Sequence, residues 1–103
     1  MNLNNILYKI RSKKHLTFIR SLPCMIVISG ENCNNNSIAH HLTFCGGQGR
    51  GTKESDSKTV PLCPYHHSML HNIGEKEFWK QVGIPLKMVE AYADKLWSKS
   101  NGH

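Results

Sequence analysis

The sequence has no long apolar run. Its longest lies around Met25–Ile28, far short of the roughly 18–20 residues that cross a bilayer, which argues against a membrane helix. Met1–Lys14 mixes Asn, Lys and Arg with single apolar side chains and lacks the continuous apolar stretch of a secretory leader. A cytoplasmic protein is the expectation. Acidic residues are scarce: 7 against 13 Lys and Arg, for a formal charge of +6 and a pI near 9.3. A surface so biased attracts polyanions, with nucleic acid the first candidate; the plainer alternative is a merely soluble basic protein. Hydrophobic residues make up 39% of 103 positions, a little under the usual globular range. One small domain with a thin core is expected, and such chains often need a metal, disulfides or a partner. Only four cysteines are present, and in a reducing compartment they read as metal ligands or free thiols before disulfides.

Histidine, by contrast, is abundant. There are seven, and four of them fall into two adjacent pairs, His40–His41 and His66–His67, with His71 one helical turn further on.

The chain divides into short elements. Ser12–Leu22 reads as a helix capped by Ser12, with Leu16, Ile19 and Arg20 repeating at three and four. Pro23 would end it. Met25–Ser29 has β-branched character, followed by a turn signal at Gly30–Asn32. Ile38–Phe44 is a predicted strand, Cys45–Asp56 a loop with four glycines, and Lys58–Leu62 a second short strand in which Pro61 argues for an edge or a strand end. Pro64–Asn72, Glu75–Gln81 and Pro85–Ser98 are predicted helices. Met88, Val89, Tyr92, Leu96 and Trp97 keep the helical period in the last. The expected class is α+β: a short β-hairpin, a helix bearing histidines, and flanking helices. Three regions are expected: a basic N-terminal arm and helix over 1–22, a core over 23–74, and a helical extension over 75–103.

The chemistry concentrates in the core. His67 and His71 are four apart, project from one helix face, and can grip one divalent cation. For an isolated pair at this spacing, packing of one ring and solvation of the other is the commoner outcome. This pair is not isolated. His40 and His41 are neighbours on a predicted strand and point to opposite sides, so one can join the metal while the other acts as a general base near neutral pH. Phosphodiester hydrolysis needs a deprotonated water, a neutralised phosphate and a stabilised leaving oxygen; one metal and one histidine can supply these. Arg50 and Lys53 in the glycine-rich loop can lie close to a backbone phosphate.

Cys63 and His66, three apart at a helix start, can reach a common point beside it. A longer knuckle between Cys24 and Cys33 could bring two more sulfurs there, giving a Cys₃His structural zinc site. The alternative is that Cys24 and Cys63 are small core residues and Cys33 a loop thiol. Cys45 reads as free.

Several words in this order, AHHL (Ala39–Leu42), the glycine loop Gly47–Asp56, VPLCPYHHSMLH (Val60–His71), Gly74-Glu75 and Phe78-Trp79, resemble the HNH, or ββα-metal, endonuclease motif. More narrowly, they resemble the phage-type group that includes the Ref recombination nuclease. The resemblance implies a ββα-metal core, with His41 as general base and His40 as the metal ligand where many HNH enzymes carry Asp. His67 and His71 complete the site, and Asp56 stands where a polar residue ties the strands together. It also implies Mg or another divalent ion in catalysis; a site of three imidazoles would tolerate Zn, Ni, Mn or Co more readily than an all-oxygen site would. Relatives often pair two cysteines before the histidine strand to bind zinc, but here Val27 stands where the second would be.

The expectation is therefore a metal-dependent endonuclease acting on DNA, alone or as a homodimer, or with a recombination or phage partner protein. The competing reading is a non-catalytic zinc-stabilised DNA-binding or recombination accessory module. Phe78, Trp79, Tyr92 and Trp97 are expected in the core, and Lys76, Lys80, Lys87 and Lys95 on a solvated face. Lys9, Arg11, Lys13 and Lys14 read equally as a DNA-backbone arm or an exposed helix start.

Overall fold

Ser12 caps the first helix: its hydroxyl accepts the amide of His15, and Lys13–Arg20 (α1) follows. The computed structural model describes residues 11–26, 36–45 and 55–100. Within them α1 is followed by strands Ile38–His41 (β1) and Thr59–Leu62 (β2), then helices Pro64–Ile73 (α2), Glu75–Val82 (α3) and Leu86–Ser100 (α4). The class is α+β, with one antiparallel hairpin and helices around it. No helix among the described residues is long and apolar enough to cross a membrane.

The hairpin pairs Ile38 with Leu62, Ala39 with Pro61, His40 with Val60 and His41 with Thr59. The amide of Leu42 bonds the carbonyl of Lys58 at 2.9 Å, which makes Leu42–Lys58 a hydrogen-bonded pair. Alternation along an antiparallel ladder then puts Ala39–Pro61 at a non-hydrogen-bonded pair. The missing Pro61 N–H therefore costs no ladder bond, and Pro61 is tolerated although its side chain is fully buried.

Two strands alone are marginal in water, and helices complete the core. All four residues of β2 are buried, because α1, α2 and α4 all pack against this strand. Val60, Leu62, Leu70, Phe78, Trp79 and Val89 belong to one buried cluster. Lys58 anchors the start of β2 to α4 through Glu90 (3.2 Å) and Asp94 (2.6 Å).

Two glycines set the helix directions. Gly83 ends α3 in the left-handed conformation (φ 81°). Gly74, between α2 and α3, has φ 96° and ψ 147°, a conformation open essentially to glycine alone. It breaks one helix and starts the next without a linker.

Three expectations need correction. In α1 the inward face is His15 and Ile19, while Arg20 is exposed. His15 faces α4, where its ring meets Trp97 edge-on at 4.9 Å, and this contact turns the stripe by one residue. Met25 and Ile26 form a 3₁₀ turn, not the start of a strand; their apolar character reflects burial in the core. Met88 is 61% exposed, and Val89, Ala93 and Leu96 form the buried face of α4. Phe78 and Trp79 are buried as expected, Tyr92 and Trp97 are only half-buried rather than core residues, and Lys76, Lys80, Lys87 and Lys95 are exposed. Cys33, Arg50 and Lys53 lie outside the described residues.

Candidate metal centre

Helix α2 separates two kinds of histidine. Pro64 occupies its first turn, where a missing N–H is harmless. From there the helical period turns His66 and Leu70 into the core and leaves His67 and His71 on an adjoining face. β1 carries His40 up to that second face, with its ring edge-on to His67 (5.2 Å between centroids) and His71 (6.1 Å).

The result is a cluster of three imidazoles whose ligand nitrogens all lie within 4.8 Å of one another. Nε2 of His67 and Nε2 of His71 are 3.2 Å apart. A cation with metal–nitrogen bonds of about 2.0–2.1 Å holds neighbouring tetrahedral ligands roughly 3.3 Å apart, so this donor set fits a divalent ion. Burial and the neighbouring His40 and His71 push the His67 ring below its ordinary pKa, which keeps its lone pair free near neutral pH. His40, His67 and His71 are thus brought together as the sequence suggested.

Glu75 was not anticipated as part of this neighbourhood. Its Oε2 lies 3.0 Å from His40 Nε2 and accepts the indole N–H of Trp79 at 2.9 Å. Its Oε1 accepts the amide and the hydroxyl of Thr43 at 3.0 and 2.7 Å. Burial pushes this carboxyl up, but bonds from His40, Trp79 and Thr43 outweigh it and bring it down to about 2. The sequence signal was ambiguous: an acidic residue opening a helix reads as a complement to the helix dipole.

His41 takes the opposite side of the strand. Its Nε2 is 2.7 Å from Asp56 Oδ1, and its side chain is 26% exposed. Asp56 is buried and also accepts the amide of Ser12 at 2.8 Å, with the Arg11 guanidinium at 3.5 Å. Burial raises the Asp56 carboxyl; the His41 and Ser12 bonds and the charges of His41 and Arg11 overcome it and hold it below the usual carboxylate range. Asp56 thus joins β1 to the start of α1 as well as to its own segment.

A second cluster lies beneath the start of α2. Cys24, Cys63 and His66 are all buried, with ligand atoms within 4.8 Å of one another. His66 Nδ1 is 3.3 Å from the Cys63 sulfur and 3.7 Å from that of Cys24. This Cys₂His group can hold a metal ion. Cys45 stands apart as a free thiol; burial and the charge of Glu90 push it up to about 12.

No curated protein and no solved structure matches this chain. Residues 7–98 match the family described as "Protein of unknown function (DUF968)". That match takes in α1, both strands, α2, α3 and nearly all of α4, so the chain belongs to the DUF968 family.

Proposed function

We propose that this chain is a metal-dependent endonuclease of the HNH, ββα-metal type, hydrolysing DNA phosphodiester bonds. The observation that carries this reading is the pairing of a three-histidine cluster with a neighbouring histidine held by a carboxylate. His40, His67 and His71 would hold a divalent cation such as Mg, Mn, Zn or Ni. When bound, that cation supplies Lewis acidity for the scissile phosphate and the leaving oxygen.

His41 is the base in this reading. With Nε2–H donating to Asp56, the lone pair sits on Nδ1, which takes a proton from the attacking water. The Asp56 carboxylate then stabilises the imidazolium that results. His41 is the last residue of β1, and its ring is partly exposed and held by Asp56. The net charge of +6 favours a polyanionic substrate.

Cys24, Cys63 and His66 are assigned a structural zinc, with Cys33 as the sequence candidate for a fourth ligand. Their burial suits a closed structural site and also favours the second reading, a zinc-stabilised DNA-binding module without catalysis. Incubating supercoiled plasmid with the protein and a panel of divalent metals separates the two. Nicking that disappears in His41→Ala supports the nuclease. Salt-sensitive binding with no nicking under any metal supports the module.

A further inference from the structure

Glu75 is a buried carboxylate, with a side chain only 7% exposed, and His40 is the one basic residue paired with it among the described residues. Both of its oxygens are engaged. Oε1 is tied to the chain just after β1 through Thr43, and Oε2 is shared between His40 and Trp79. Trp79, one turn along α3, is itself fully buried. The carboxylate is therefore held from two sides, and the bond to His40 inherits that rigidity. A tie between β1 and α3 alone would need only a neutral acceptor, and burying a charge for it is costly. The charge has a use if it acts on the imidazole. A carboxylate accepting one ring N–H fixes the tautomer, orients the ring and makes the other nitrogen a better donor.

We propose that Glu75 is the positioning residue of the His40/His67/His71 metal site, accepting Nε2–H of His40 so that Nδ1 carries the lone pair offered to the cation. The proposal rests on the reading of that cluster as a metal site, and it names which His40 nitrogen is the ligand. Gly74 makes the arrangement possible, because its backbone turn ends α2 and places Glu75 in the first turn of α3, beside the ring it orients.

The test uses the full chain, with Mn(II) as the probe because thiolates compete poorly for it. Free Mn(II) is followed by electron paramagnetic resonance, and long-range ¹H–¹⁵N spectra of the metal-free protein report the His40 tautomer. The wild-type chain is expected to show the Nε2–H tautomer. Glu75→Ala should weaken Mn(II) binding about 10- to 100-fold and lose that fixed tautomer. Glu75→Gln keeps an acceptor oxygen and should recover part of the affinity, and it serves as the working variant if the alanine chain does not fold. An Nδ1–H tautomer in the wild-type chain would overturn the proposal. So would unchanged affinity in both folded variants, or a loss in Glu75→Gln as complete as in His40→Ala, which would make Glu75 a direct ligand. None of these readouts needs DNA cleavage. A chain that binds Mn(II) as described yet cuts no DNA refutes the nuclease and leaves the role of Glu75 standing.

Discussion

His41 Nε2 and Asp56 Oδ1 are 2.7 Å apart, although fifteen positions separate them in sequence. Under the proposed mechanism this bond sets which nitrogen of His41 receives the proton. His41→Ala is expected to lower plasmid nicking about 100- to 10,000-fold with metal binding unchanged. Asp56→Asn should lower the rate less while also loosening the start of α1, because the same carboxylate accepts the Ser12 amide. Full activity of His41→Ala in a gel nicking assay removes it as the base.

Metal binding should compete with protons. His67 is already held below its ordinary pKa by burial and its histidine neighbours, so that ring stays ligand-ready near neutrality. Affinity should fall as pH drops through and below about 6.5, where free imidazoles protonate. Replacing His67 or His71 by Ala should reduce metal binding and cleavage together. Isothermal titration from pH 5 to 8 measures the affinities and a plasmid nicking assay the cleavage, and a pH-independent affinity would remove the histidines as ligands.

Chelation should destabilise the fold through the buried cluster of Cys24, Cys63 and His66. A ligand present at a thousand times its dissociation constant stabilises by about 4 kcal/mol, so stripping a structural zinc should lower the melting temperature markedly. Cys63→Ser should abolish that response. A melting curve identical with and without a strong chelator, on protein purified with its metal, would leave Cys24 and Cys63 as core residues only.

Acid should lower stability in stages, two of them set by His15 and Asp56. His15 is buried and held below its ordinary pKa by burial, against a smaller upward pull from Asp56. Between its folded value and the ordinary 6.5, the unfolded chain binds more protons, so stability falls as pH falls through that window. Asp56 has a folded pKa below its ordinary 3.8; its contribution is intact above the ordinary value and is lost as pH falls towards the folded one. His15 Nδ1 bonds the Ser100 hydroxyl, while Nε2 is buried without a hydrogen-bond partner among the described residues, so His15→Phe gives up one hydrogen bond and should flatten the first stage. Urea midpoints measured from pH 7.5 to 3 would show it; an unchanged slope between pH 6.5 and 5 in that variant contradicts the assignment.

Gly74→Ala should cost about 1–3 kcal/mol from backbone strain, although a Cβ there would meet nothing within 4 Å. The cost comes from φ 96° alone. Chemical denaturation measures it, and a neutral substitution would mean that the α2–α3 corner relaxes freely.

The sequence made the local elements legible because their signals are local. Ser12, Pro64 and Gly83 each act on the few residues beside them, and all three mark real boundaries. The histidine cluster was legible because His67 and His71 share a helix face and the adjacent pair His40–His41 must split across a strand. Glu75 was not, because its partners Thr43 and His40 lie over thirty positions away and periodicity says nothing about such contacts. The inward turn of His15 was hidden for the same reason: its partner Trp97 comes from the far end of the chain.

Pro61 has one more effect, on assembly. In an antiparallel ladder the residues at non-hydrogen-bonded pairs aim their N–H groups away from the partner strand. On the outer side of β2 those residues are Thr59 and Pro61, and Pro61 has no N–H to offer. Among the described residues no strand pairs with that side of β2, and it is blunted as a template for another strand. If two copies of this chain associate, that edge is a poor place for them to join, and a continuous intermolecular sheet through β2 is disfavoured by a single imino acid.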